Sequence, residues 1–170
     1  MNTQLSKKLK EMASRDQVMR REAMKTGHWD ESIDKKNTHL LKEIIDQFGW
    51  PTIPMVGKKA SFFAWLIAQH ADHDIQFQKK VLKLLKGLYM ENNIVDPKNV
   101  AFLTDRILVT EGKKQIFGTQ FYTNGRGNLV PRPIKNKKEM IILRKKYNLP
   151  PFSEYLKSAL VHAKENKKRY

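Results

Sequence analysis

Gln69-His70-Ala71-Asp72-His73-Asp74-Ile75-Gln76-Phe77-Gln78 is a polar stretch set inside an apolar pattern. Around it, Phe63, Leu66, Ile67, Phe77, Val81, Leu84 and Leu85 recur at helical spacing, as in a helix that buries one stripe. Read continuously, the pattern predicts one long helix from about Lys59 to Glu91, softened near its end by Gly87. His70 and Asp74 then fall inside the stripe, one turn apart. A helix that only packs carries Leu or Ala at such positions, so two ionisable groups there mark a candidate site.

Outward from this helix the chain reads mainly as helix. Leu5, Leu9, Met12, Met19 and Ala23 give a first helical stripe over residues 3–25, interrupted by Arg15, Asp16, Gln17 and Arg20. A loop opens at Gly27-His28-Trp29. A second helix runs from about Ser32 to Phe48 and is stopped by Gly49-Trp50-Pro51. Pro51, Pro54 and Gly57 punctuate a loop over 50–59. Asp96-Pro97 reads as a cap and first-turn proline for a helix to about Leu108. Gln115 to Tyr122 then has strand character, Asn124-Gly125-Arg126-Gly127 is a turn, and Leu129-Val130-Pro131 returns as a short edge strand. Helices resume over Lys137–Tyr147 and Pro151–Lys164. The expected fold class is mainly α: one compact domain over residues 1–165 with a small β-hairpin, followed by a basic tail at 166–170.

Thirty-three basic and seventeen acidic side chains give a net charge of +16 over 170 residues. Residues 135–170 hold eleven Lys or Arg against three acidic groups, half of that excess. Such a field attracts nucleic acid, anionic lipid or acidic proteins, although scattered lysines also suit a solvated surface. Cysteine is absent, which excludes disulfides, thiolate nucleophiles and cysteine zinc sites. The absence of a membrane-length apolar run and of a secretory leader makes a cytoplasmic location the default expectation.

An imidazole beside a carboxylate can serve as a general base or acid near neutral pH, and His70 with Asp74 is the first such pair. The competing reading is a buried network that only fixes packing. His70, His73 and Asp74 also resemble metal-ligand spacing, with Asp105 or Asp16 as a third ligand. They do not form the zinc-protease helix signature, and no metal or cofactor is assigned. Arg106, next to Asp105, is suited to clamp a phosphate or carboxylate, and equally to lock Asp74 or Asp105 in a structural ion pair. Asp16 and Arg20 are spaced for an intrahelical pair. Gly118, inside the presumed strand, implies a close approach by the long helix or a ligand, and Gln120 beside it is suited to orient water or read an amide. Trp29, Trp50 and Trp65 are read first as packing residues, with base stacking as the competing role.

The ordered series Asp16-Gln17 with Arg20, Gly49-Trp50-Pro51, Gly57, Ala64-Trp65-Leu66-Ile67-Ala68-Gln69-His70-Ala71-Asp72, Asp74, Phe77-Gln78, Leu103-Thr104-Asp105-Arg106, Gln115 and Gly118-Thr119-Gln120-Phe121, with Pro133 and Arg144, resembles a bacterial family catalogued as a domain of unknown function. The resemblance covers about residues 10–155. It implies that these polar elements belong to one design, and it carries no activity, cofactor or substrate with it.

The expected function is a small, cofactor-independent hydrolase or group transferase acting on a polar or phosphate-bearing substrate. His70, Asp74 and Asp105 are the catalytic candidates, with His70 and Asp74 as the proton-transfer pair. Asp16, Gln17, Arg20, Gln78, Arg106, Gln115, Thr119 and Gln120 are the substrate-binding candidates. The alternative is a non-enzymatic regulatory module whose basic surface binds nucleic acid or an acidic protein.

Overall fold

A computed structural model describes the backbone of residues 1–92 and 94–169, with side chains except those of Asn92 and 166–169. The reading of 166–170 as a basic tail therefore rests on side chains outside the described residues. Among the described residues there are eight helices and one two-stranded sheet: α1 Thr3–Thr26, α2 Glu31–Phe48, α3 Ile53–Val56, α4 Lys58–Gln69, α5 Ile75–Asn92, α6 Pro97–Thr110, β1 Phe121–Thr123, β2 Leu129–Pro131, α7 Lys137–Lys146 and α8 Phe152–Arg169. The fold is mainly α with a small hairpin. Two compact units divide the chain, Met1–Asn99 and Val100–Tyr170.

In the first unit, α1 packs chiefly against α4, and α2 packs against both. The side chain of Asn2 caps α1 by accepting from Leu5 N at 3.0 Å, and Asp30 caps α2 through Ser32 N at 2.9 Å. Gly27 ends α1 in the left-handed region that glycine adopts without penalty. Leu9, Met12, Leu41, Ile44, Ile67, Val81 and Leu85 form much of the buried apolar set. Ala60, Ala64 and Ala68 recur one turn apart on α4 and are all buried, and side chains this small allow close helix approach. The loop expected over 50–59 contains the one-turn α3.

The long helix predicted over 59–91 is two helices. His70 is the C-cap of α4, its N–H donating to Leu66 O and Ile67 O at 3.1 and 3.2 Å. The chain turns through Ala71–Asp74 and re-enters helix when the Asp74 carboxylate accepts from Phe77 N at 2.9 Å. The buried Gln78 amide reaches back from α5, donating to Ala68 O, Gln69 O and Asp72 Oδ1 at 3.2–3.3 Å. It thereby satisfies the Gln69 carbonyl at the end of α4 and adds a second donor to that of Ala68, which also accepts from Ala71 N. Short carboxylates compete with the helix for backbone N–H groups, which favours a new cap over a continuous rod.

In the second unit, Ala101, Phe117 and Leu149 form a buried cluster with Phe102, Ile116, Leu143 and Tyr147 around it. The hairpin pairs Phe121 with Pro131, Tyr122 with Val130 and Thr123 with Leu129. The strand expected from Gln115 is thus confined to Phe121–Thr123: Gln115 makes only an isolated parallel bridge to Ile134, and the N–H groups of Ile116, Phe117 and Thr119 turn to the Asp105 side chain instead of a neighbouring strand. Gly118 has φ +71°, and a Cβ there would lie 2.9 Å from both Met140 Sδ and a ring carbon of Phe152. The close approach that Gly118 implied is made by Met140 of α7 and Phe152 of α8.

Candidate functional site

His70 is held by α1, fifty-four residues away in sequence, and not by Asp74. Its Nδ1 lies 2.9 and 3.1 Å from the two carboxylate oxygens of Asp16, a residue only 1% exposed. Asp16 in turn accepts from Arg20 Nε at 2.9 Å and Gln17 Nε2 at 2.7 Å. Arg20 Nη2 donates to Asp34 on α2 at 2.7 Å, and its guanidinium lies 4.7 Å from the centre of the Trp29 ring. Three helices therefore fix one imidazole: α1 supplies the carboxylate, α2 braces Arg20, and the C-cap of α4 presents the ring.

A carboxylate acceptor at Nδ1 selects the tautomer with its proton on that nitrogen. The neutral ring then carries its lone pair on Nε2, for which the described residues provide no hydrogen bond. The His70 side chain, 16% exposed, lines a cleft of about 170 Å³ with Arg20, Trp29, Glu31, Asp34, Asp72 and His73. Burial alone pushes the Asp16 pKa up, but the hydrogen bond and charge of His70, together with Arg20 and Gln17, hold it below the usual value. Burial raises the Asp34 pKa, against the pull of Arg20 and with the repulsion of Asp16. The carboxylate pinned to His70 is thus the more firmly ionised of the two.

The other expected site residues take different places. Asp74 accepts from Lys42 Nζ at 2.6 Å and caps α5, so the turn that breaks the long helix dissolves the expected His70–Asp74 pair. The Lys42 hydrogen bond, with Phe77 N, lowers the Asp74 pKa. His73 is exposed, and among the described residues no three His, Asp or Glu side chains form a metal-binding group. Gln78, expected to contact substrate, is buried and donates to the end of α4.

Four of the candidates belong to a structural knot in the second unit. Asp105, fully buried, accepts from Ile116 N, Phe117 N, Thr119 N and Thr119 Oγ1 at 2.8–3.2 Å. Burial raises its pKa while these donors oppose the rise. A carboxylate enclosed in this way organises a loop; it has no face left for proton transfer. Gln115, also fully buried, donates to Gln120 O and Arg132 O at 3.0 and 2.7 Å and accepts from Gln120 N at 2.8 Å. Thr119 is consumed by Asp105, and Gln120 Nε2 donates to Thr119 Oγ1 at 3.1 Å. Arg106 is half-buried on α6. Buried Arg144 closes the knot from α7, donating to Phe117 O at 2.6 Å and Pro150 O at 2.8 Å.

Asp16, Gln17 and Arg20 are the candidates gathered around His70. Asp34 and Lys42 escaped the sequence reading. Asp34 had a visible signal, because it shares the buried face of α2 with Asn37, Thr38, Leu41 and Ile45, the same polar-in-stripe pattern that singled out His70. Lys42 had none, since a lysine on a helix is ordinarily a solvent-facing residue. Neither curated proteins nor solved structures gave a significant match to the chain. A profile described as a family of unknown function (DUF6624) matches residues 3–165, and the chain belongs to that family.

Proposed function

We propose that the first unit is a small acid–base enzyme, a hydrolase or group transferase, with His70 as its proton carrier and Asp16 as the group that orients the ring. The observation that carries this reading is the division of the imidazole: Nδ1 is engaged by a buried carboxylate, while the ring borders an open cleft. In this arrangement Nε2 takes a proton from water or a substrate hydroxyl as the nucleophile attacks, then returns it to the leaving group. Asp16 stabilises the imidazolium formed between the two steps. Arg20 and Gln17 keep that carboxylate in register.

A neutral or cationic polar substrate suits the cleft better than a phosphate. Arg20 already shares its charge between Asp16 and Asp34, and Glu31, Asp34 and Asp72 are all on the lining. The exposed Trp29 adds an apolar wall. The test is hydrolysis of p-nitrophenyl acetate, lysine p-nitroanilide and p-nitrophenyl phosphate by wild type and His70→Gln, with circular dichroism as the folding control. Turnover of the ester or the anilide is expected, falling about 100-fold or more in the variant, as loss of a general base requires. Equal turnover by a folded variant, or no turnover of any of the three, overturns the proposal.

A further inference from the structure

A second concavity lies in the other unit and serves no part of the proton chemistry above. It is a cleft of about 1130 Å³ lined by residues of α7, the connection after it and the start of α8, including Met140, Ile141, Ile142, Leu149 and Phe152. Ile141 and Ile142 are 65% and 70% exposed, adjacent on a helix otherwise rich in lysine. Among the lining residues, four are Lys or Arg and none is Asp or Glu. Arg144 belongs to that lining but is only 2% exposed, its guanidinium lying over the rings of Phe152 and Tyr155, so the accessible charge of the cleft is that of the lysines. An apolar floor and a wholly cationic set of ionisable groups together call for an occupant that brings both apolar side chains and carboxylates.

We infer that this cleft docks an acidic amphipathic helix of a partner protein. Lys137 stands at the first turn of α7 and Lys145–Lys146 at its last, about 12 Å apart at 1.5 Å per residue. Carboxylates about two helical turns apart on the occupant meet both ends, while apolar anchors between them meet Ile141, Ile142 and Met140. A single-headed fatty carboxylate reaches only one end of this charge pattern. A nucleic-acid backbone supplies charge but nothing to cover the two isoleucines.

The probe is a fluorescein-labelled helical peptide with leucines on one face and glutamates on its flanks. Its control is a scrambled peptide of the same composition, which isolates the attraction due to net charge alone. Anisotropy is measured with the full chain at about 0.15 M salt, where exposed long-range attraction is screened. The amphipathic peptide is expected to bind at least about tenfold more tightly than the scrambled one, a difference of about 1.4 kcal/mol. Ile141→Asn/Ile142→Asn is expected to abolish that preference with the circular dichroism unchanged. Backbone amide shifts on titration should map to residues 137–153. Equal binding of both peptides, or a preference that survives the double substitution, overturns the inference. Phosphatidylglycerol vesicles bound with the same isoleucine dependence would assign the cleft to lipid instead. Sedimentation showing a dimer that the double substitution dissociates would assign it to a second copy of the chain.

Discussion

Asp16 and Asp74 are both carboxylates below their usual pKa, and they differ in what they hold. Asp16→Asn keeps the size of the side chain but loses the charge that selects the His70 tautomer. Turnover is expected to fall about 10²–10⁴-fold while the fold persists. Asp74→Asn retains an oxygen for the α5 cap and loses the ion pair to Lys42, so turnover is expected to stay within about twofold of wild type. The pH dependence of stability follows from the sign of the shift. A folded-state pKa lowered from 3.8 means that Asp74 contributes stability fully above that value and loses it as the pH falls through the lower folded value. Urea unfolding at a series of pH values should therefore show a stability gap between wild type and Asp74→Asn that is present at pH 6 and closes below about pH 4. A gap that persists in acid would contradict the Lys42 pairing. Asp16, Arg20 and His70 were legible in the sequence because each interrupts an apolar helical pattern, whereas Asp34, with the same signal on α2, was passed over. Their pairing was not: Asp16 and His70 meet only after α1 and α4 pack.

At the scale of elements, the fold depends on two devices that spare the backbone an unpaired polar group. Gln78 closes the end of α4 from the first turns of α5. Gln78→Met preserves volume but strands the Gln69 carbonyl, and it is expected to cost about 1–3 kcal/mol in denaturant unfolding with no direct effect on His70 chemistry. The Asp105 knot performs the same service for residues 116–119 and depends on Gly118. Gly118→Ala meets both an unfavourable φ and contact with Met140 and Phe152, and should destabilise by more than about 1 kcal/mol. Gly118→Ala/Met140→Ala should recover part of that loss by removing one of the two neighbours. An unchanged unfolding midpoint in the single variant would show that the backbone has another route through this turn. Most elements could be read from periodicity, including the first two helices, the Asp96-Pro97 start of α6, the return strand and the last two helices. The break at 70–74 was masked because apolar residues on both sides happen to stay in helical phase. The region 115–120 looked like a strand because its residue types alternate with period two, although the N–H groups of Ile116, Phe117 and Thr119 go to the Asp105 carboxylate.

Over the whole molecule the net charge of +16 exceeds anything the fold requires. It predicts weak, sequence-independent retention on DNA at low ionic strength that falls steeply with added salt. His70→Gln and Ile141→Asn/Ile142→Asn should leave that retention unchanged, since neither alters the lysine field. Dependence on either substitution would tie DNA binding to one of the two clefts. No described helix is long and apolar enough to cross a membrane. Composition and periodicity alone determined the mainly helical class, the hairpin, the strong positive charge and the suspicion that falls on His70, because each is a local or summed property of the chain. Which carboxylate meets His70, and that Asp105 and Gln115 are enclosed by the backbone of residues 115–132, only the tertiary structure decided. Those assignments depend on distances between residues far apart in sequence, set by how the helices of each unit pack.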